Sequence, residues 1–216
     1  MAKGSDERLK IRDEVAALKR ERTIGAAAEL FYRKGYDNTT LDEVAESLGV
    51  TKPFIYANFG SKSELLAEIC ERGVQASSDE LDRALAEGLP ARATLQLFAR
   101  RYVLSILGAQ KSIAIYIREE KNLEPGEAKR IGKLRRTFVG RLAELLHRGA
   151  ESGEFTLKDP TMAALAIVGA VSWSTFWYRP EGRLEVAEIA ATMAGYVMNI
   201  ACPSDSGSGA AGMDAA

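Results

Sequence analysis

The sequence predicts an all-α protein of about nine helices, with a small three-helix helix-turn-helix head and a larger helical body. Three observations support this. Apolar residues recur at three- and four-residue spacing along nearly the whole chain, the period of a helix with one buried face. No useful stretch alternates apolar with polar residues, so no half-buried strand is indicated. Breakers fall between the periodic runs: Gly35, Gly49, Pro90, NLEPGE at 122–127, ESGEF at 151–155, Asp159-Pro160 and YRPEGR at 178–183.

The first helix reads from about Asp13 to Lys34, with Ile24, Ala27, Ala28, Leu30 and Phe31 as its buried stripe. Gly35 ends it, because a left-handed cap costs glycine little. Residues 1–12 are highly charged, have no apolar run of the kind a signal peptide needs, and are expected to be flexible. Thr40 caps a helix over 41–48 whose first turn holds Asp42 and Glu43, both favourable near the positive end of the dipole. Thr51 caps a short helix over 52–56, with Pro53 in the first turn, where a missing N–H does no harm. The next helix opens at Ser61 or Ser63 and extends as far as Ala86. Further helices lie near 91–108, 111–121, 126–151, 160–178 and 184–201. The head then occupies 13–60 and the body 61–201, and the small polar residues of 202–216 form a disordered tail.

Composition excludes several classes of function. At 216 residues, 46% apolar and 27% charged, the chain can bury a sizeable core in one or two domains. A net charge of −1 leaves any nucleic-acid binding to a local patch. Cys70 and Cys202 form no CxxC pair and His147 is the single histidine, so no disulfide scaffold or metal site is expected. Without a Gly-rich phosphate loop or a nucleophile motif, no catalytic residue and no cofactor are expected either. The longest apolar run, Met162 to Tyr178, contains Ser172, Ser174 and Thr175 and falls short of the ~20 residues of a membrane span. These features predict a soluble cytoplasmic protein with no membrane partner.

A helix, a glycine-bearing turn and a second helix at this spacing make a helix-turn-helix, whose second helix reads double-stranded DNA. That reading explains why the exposed side of 51–58 is crowded with Thr51, Lys52, Pro53, Tyr56 and Asn58. Lys62 and the free amides at the start of the following helix suit a phosphate. Thr39 and Thr40, where the motif begins, complete the DNA-facing set. The competing reading is a helical protein-interaction module without a DNA role.

The segment TIGAAAELFYRKGYDNTTLDEVAESLGVTKPFIYANFGSKSELL resembles the N-terminal domain of TetR-family transcriptional regulators. The matching features are Ala-Ala then Leu-Phe in the first helix, Gly35-Tyr36, Thr39-Thr40, Val44-Ala45, Gly49-Val50, Tyr56, Phe59 and Lys62 to Leu65. Lys52-Pro53-Phe54 departs from the small residues more common there, which bears on operator sequence. The resemblance implies a DNA-binding head on a ligand-binding body, working as a homodimer that leaves its palindromic operator when a small-molecule effector binds.

The body carries the remaining expectations. TMAALAIVGAVSWSTFWY is apolar nearly all round, so the helix it forms must be covered on every side. With VAEIAATMAGYVMNI it could build a four-helix interface across a two-fold axis, through Ala170, Val171, Trp177, Met193 and Val197. Both helices could instead lie inside a monomer. Phe98, Tyr102, Tyr116, Phe138 and Trp173, with Arg101 and Arg118, are the candidate ligand-binding residues, although aromatic residues at helical spacing are more often core. Lys129, Lys133 and Arg136 fall at i, i+4 and i+7, either a solvated stripe or a seat for an anionic headgroup. YIREEKNL and FWYRPEGRLEVAEIA are similar to TetR-family regulators of lipid, fatty-acid and sterol breakdown, which implies acyl-coenzyme A as a candidate effector.

Overall fold

In the computed structural model the described residues are 2–203, with 2–13 described by their backbone alone. They form nine α-helices: α1 (Ala2–Lys34), α2 (Leu41–Leu48), α3 (Lys52–Phe59), α4 (Lys62–Ala86), α5 (Ala91–Gly108), α6 (Gln110–Glu119), α7 (Pro125–Glu151), α8 (Pro160–Trp177) and α9 (Val186–Ala201), with a 3₁₀ turn at Glu120–Asn122. No strand occurs among them. The expected tail falls on 204–216, outside the described residues.

Two helices extend beyond the sequence reading. The α1 backbone is helical from Ala2 rather than from about Asp13, because Glu, Lys and Arg are good helix formers that carry no apolar period. Helix α3 runs to Phe59 rather than Tyr56, since Phe59 is needed in the core, and Gly60 closes it at φ 67°.

The chain divides into two compact units. The first comprises, among the described residues, 2–75 and 109–134, so it adds α6 and the start of α7 to the head, whereas the sequence reading places all of 61–201 in one body. Its core joins Ile24, Ala27 and Phe31 of α1, Val44 and Ala45 of α2, and Ile55 and Phe59 of α3. Leu65, Leu66, Ile69 and Cys70 of α4, Ile115 of α6 and Ile131 of α7 complete it. Gly73 lets α4 approach α6 closely: a Cβ there would stand 2.9 Å from Ile113 Cδ1. Burial, reinforced by Glu120 and Glu119, pushes the Cys70 thiol up to about 12.

The second unit comprises residues 76–108 and, among the described residues, 135–203, and within it α5 packs along α9 and against α8. Phe98, Tyr102 and Phe138 form its buried aromatic centre, with Phe98 and Tyr102 stacked at 5.0 Å and Phe138 tilted 5.5 Å from Tyr102. Desolvation pushes the Tyr102 phenol up to about 12, while hydrogen bonds with Ser172 and Ser77 pull the other way. The amides opening α5 are satisfied from a distant loop, where Glu154 accepts from Ala91 N at 3.3 Å and Arg92 N at 2.9 Å. Asp159 Oδ1 caps α8 through Thr161 N and Met162 N, with Pro160 beside it. By length and composition alone α8 could cross a membrane, and 33% of it is buried.

Candidate nucleic-acid interface

The geometry of the head begins with caps. Thr40 Oγ1 accepts from Glu43 N at 3.2 Å, and Glu43 Oε2 accepts from Thr40 N at 2.8 Å. This capping box fixes the start of α2. Gly49 closes α2 in the left-handed region at φ 64°, and Val50 N reaches back to Ala45 O at 3.0 Å. The chain is thereby turned into α3, which Ile55 and Phe59 anchor from beneath.

Several expected contacts lie on the outer side of α3. Thr51, Lys52, Pro53, Tyr56 and Asn58 are all exposed, Tyr56 to 46%. Lys52 and Tyr56 stand at i and i+4 and so share a face; the ammonium lies 5.9 Å from the ring centroid. Lys62, in the first turn of α4, sits 4.1 Å over the Tyr36 ring. Two expectations need correction. Thr39 is buried and donates its hydroxyl to Gly35 O at 2.9 Å, so it supports the turn and faces no DNA. Thr51 holds the extended backbone of a cap, but its hydroxyl makes no capping bond, which leaves that hydroxyl free for a partner outside.

The sequence reading missed the residues that hold these groups. Lys52 Nζ donates to Asp42 Oδ2 at 2.9 Å, a bond that raises the lysine above its ordinary value. Glu43, besides capping α2, pairs with Lys34 at 2.7 Å, and this pairing with the Thr40 amide lowers its carboxyl. Arg20 of α1 donates to Asn58 O at 2.7 Å and pairs with Glu68 of α4. Acidic residues in a first turn were visible in the sequence as dipole partners, but nothing local pointed to Lys52 as the partner of Asp42.

The candidate ligand residues separate. Phe98, Tyr102 and Phe138 come together in the second unit, packed ring on ring. Arg101 lies instead on an open cleft of about 590 Å³ with Glu80, Arg83, Glu87, Leu104 and Ser105. Tyr116 and Arg118 belong to the first unit, where Tyr116 bonds Glu120 at 3.2 Å and Arg118 lies 4.9 Å over Tyr32. Trp173 is 62% exposed on α8 and packs against Phe176, away from the other rings. Lys129, Lys133 and Arg136 are exposed along α7. On the expected interface, Ala170 and Trp177 are exposed and Met193 half-buried, but Val171 and Val197 turn inward to the core. The outer apolar face is made by Met162, Leu165, Trp173, Trp177 and Tyr196.

A capped helix, a left-handed glycine turn and a second helix with an exposed polar face define a helix-turn-helix DNA-binding regulator. Comparison with known proteins agrees. Residues 24–69 match the family described as "Bacterial regulatory proteins, tetR family", and residues 88–201 match "Tetracyclin repressor-like, C-terminal domain". The chain belongs to the TetR family of transcriptional regulators, which are not enzymes. It is 26% identical over 174 residues to the HTH-type transcriptional repressor KstR2 of Rhodococcus jostii (strain RHA1), covering 80% of this chain and 85% of that one. Among solved structures, PfmR from Thermus thermophilus matches with a TM-score of 0.75 and 29% identity over 83% of this chain and 97% of its own. AibR, in complex with isovaleryl coenzyme A and operator DNA, matches with a TM-score of 0.73 and 26% identity, covering 82% and 96%.

Proposed function

We propose that the protein is a cytoplasmic repressor that binds a palindromic operator as a homodimer and releases it when an acyl-coenzyme A binds. The outer face of α3 carries this reading. Thr51, Lys52 and Tyr56 reach base edges and phosphates, Pro53 and Asn58 shape the edges of that contact, and Lys62 takes a phosphate at the start of α4. Thr40, exposed at the start of α2, fixes that helix and completes the DNA-facing set. The apolar face of α8 and α9, from Met162 to Tyr196, supports a two-fold interface that would set the heads one helical turn of DNA apart, roughly 34–36 Å. The effector is the finer part of the proposal. The similarity to AibR, whose solved complex holds isovaleryl coenzyme A and operator DNA, supports an acyl-coenzyme A. Lys129, Lys133 and Arg136 are the cations for its phosphates. The effector must prefer the DNA-incompetent state, since equal affinity for both states shifts nothing.

The test is calorimetry with an acyl-coenzyme A, the matching free acid and coenzyme A alone, each followed by a gel shift on DNA flanking the gene. The thioester should bind and release the DNA while the free acid does neither. Equal binding and release by the free acid would remove coenzyme A from the proposal and return the basic stripe to solvated surface.

A further inference from the structure

Lys52 opens the recognition helix, yet its ammonium already has a partner. Asp42 Oδ2 accepts from it at 2.9 Å across the turn that joins α2 to α3. The side chains are 51% and 60% exposed, so this is a surface pair that a competing anion can break. Asp42 adds favourable charge to the first turn of α2, but it takes no part in the cap or the core. The cap is made by Thr40 and Glu43, and the core by Leu41, Val44 and Ala45. The bond to Asp42 also keeps Lys52 firmly charged.

We propose that Asp42 is a specificity-determining residue: it holds the Lys52 charge back from DNA until a correctly placed acceptor takes its place. The proposal rests on the DNA-facing reading of α3. Sequence-independent affinity comes almost wholly from phosphates neutralised by lysine and arginine. In a chain of net charge −1 such affinity depends on a few local cations. Each non-cognate phosphate that recruits Lys52 must first break the pair, and the freed carboxylate then faces the negative backbone. At the operator a well-aligned acceptor repays that cost; elsewhere it does not. Asp42 therefore lowers binding to the wrong DNA more than to the right DNA. Lys34 and Glu43 repeat the arrangement at 2.7 Å, but Glu43 is committed to the cap, so Asp42 is the position that can be changed without breaking the capping box.

The test uses the full chain and three variants, Asp42→Asn, Lys52→Ala and the double change. Fluorescence anisotropy would follow a random-sequence duplex, and a duplex that the parent selects from a randomised pool, between about 50 and 200 mM salt. Asp42→Asn should tighten binding to the random duplex about two- to fivefold, the range of an exposed ion pair, and should steepen its salt slope by about 0.9. The gain should be smaller on the selected duplex and absent when Lys52 is already alanine. Should Asn disturb the fold in thermal melts, Asp42→Ser, equally suited to a first turn, takes its place. An equal gain with and without Lys52, equal gains on both duplexes, or no gain at all would each overturn the proposal while leaving DNA binding intact. A parent that binds neither duplex at low salt would overturn the DNA-facing reading and this proposal together.

Discussion

The guanidinium of Arg20 lies 4.6 Å over the ring of Phe59, where the first helix meets the end of the recognition helix. The same group donates to Asn58 O at 2.7 Å, a carbonyl that the end of α3 leaves without a helical partner. Its other edge meets Glu68 on α4, which also binds Arg72 at 3.1 Å. One side chain thus ties α1, α3 and α4 together. Replacing Arg20 with alanine is expected to cost about 1–2 kcal/mol in thermal or urea unfolding. Lysine should recover only part of this, since it has charge without the flat, forked donor.

Lys62→Ala should weaken binding to every DNA sequence alike and flatten the salt slope by about 0.9, because a phosphate contact carries no base information. Tyr56→Ala should instead shift which duplexes are selected from a randomised pool, or weaken the selected complex most. Competition binding with selected and random duplexes separates the two patterns. If both variants bind as the parent does, the outer face of α3 is not the reading surface.

Ala170→Glu places a charge on the exposed face of α8 and should give monomers in sedimentation at micromolar concentration. Operator affinity should fall at least tenfold, as linked half-sites bind far better than one (on the order of 10²–10⁴). Val171→Glu should behave differently. Val171 is fully buried, so a carboxylate there should unfold the second unit instead of merely dividing a dimer.

Glu154 predicts an acid-sensitive contact. Hydrogen bonds from the Arg92 amide, Ser152 and the Ala91 amide outweigh desolvation and hold its carboxyl below the ordinary 4.5. A lowered folded value means the contact stabilises fully above the unfolded value and is lost as pH falls through the folded one. Glu154→Gln should therefore lower Tm at neutral pH. The difference should shrink below pH 4.5 and close once both states are protonated. A difference constant with pH would assign the effect to shape and not to charge.

How far the sequence could be read depended on how local each signal was. The bounds of α2 were legible because each end is set by neighbouring residues: Thr40 and Glu43 cap the start within one turn, and Gly49 closes the end. The start of α1 was not, because a charged stretch can be helical without any apolar period to mark it. Thr39 and Thr40 look alike in sequence, and only the folded turn shows that one is buried and the other caps. In α8, apolar on all sides, periodicity gives no phase. Which of Val171 and Trp173 faces inward is settled by packing within the second unit, beyond the reach of the pattern itself. The ties of Arg20 span 38 and 48 residues, so no local pattern could have shown them.

The two thiols of the chain differ in what chemistry can reach them. Cys202 is partly accessible, whereas Cys70 is sealed in the core of the first unit and, at about 12, stays protonated at neutral pH. An alkylating reagent should modify Cys202 promptly and Cys70 only during excursions that open that core. The slow phase of labelling therefore times the spontaneous opening of the DNA-binding head, with no probe attached. Duplex DNA that binds only the closed head should slow that phase, its rate falling in proportion to the fraction of protein left unbound.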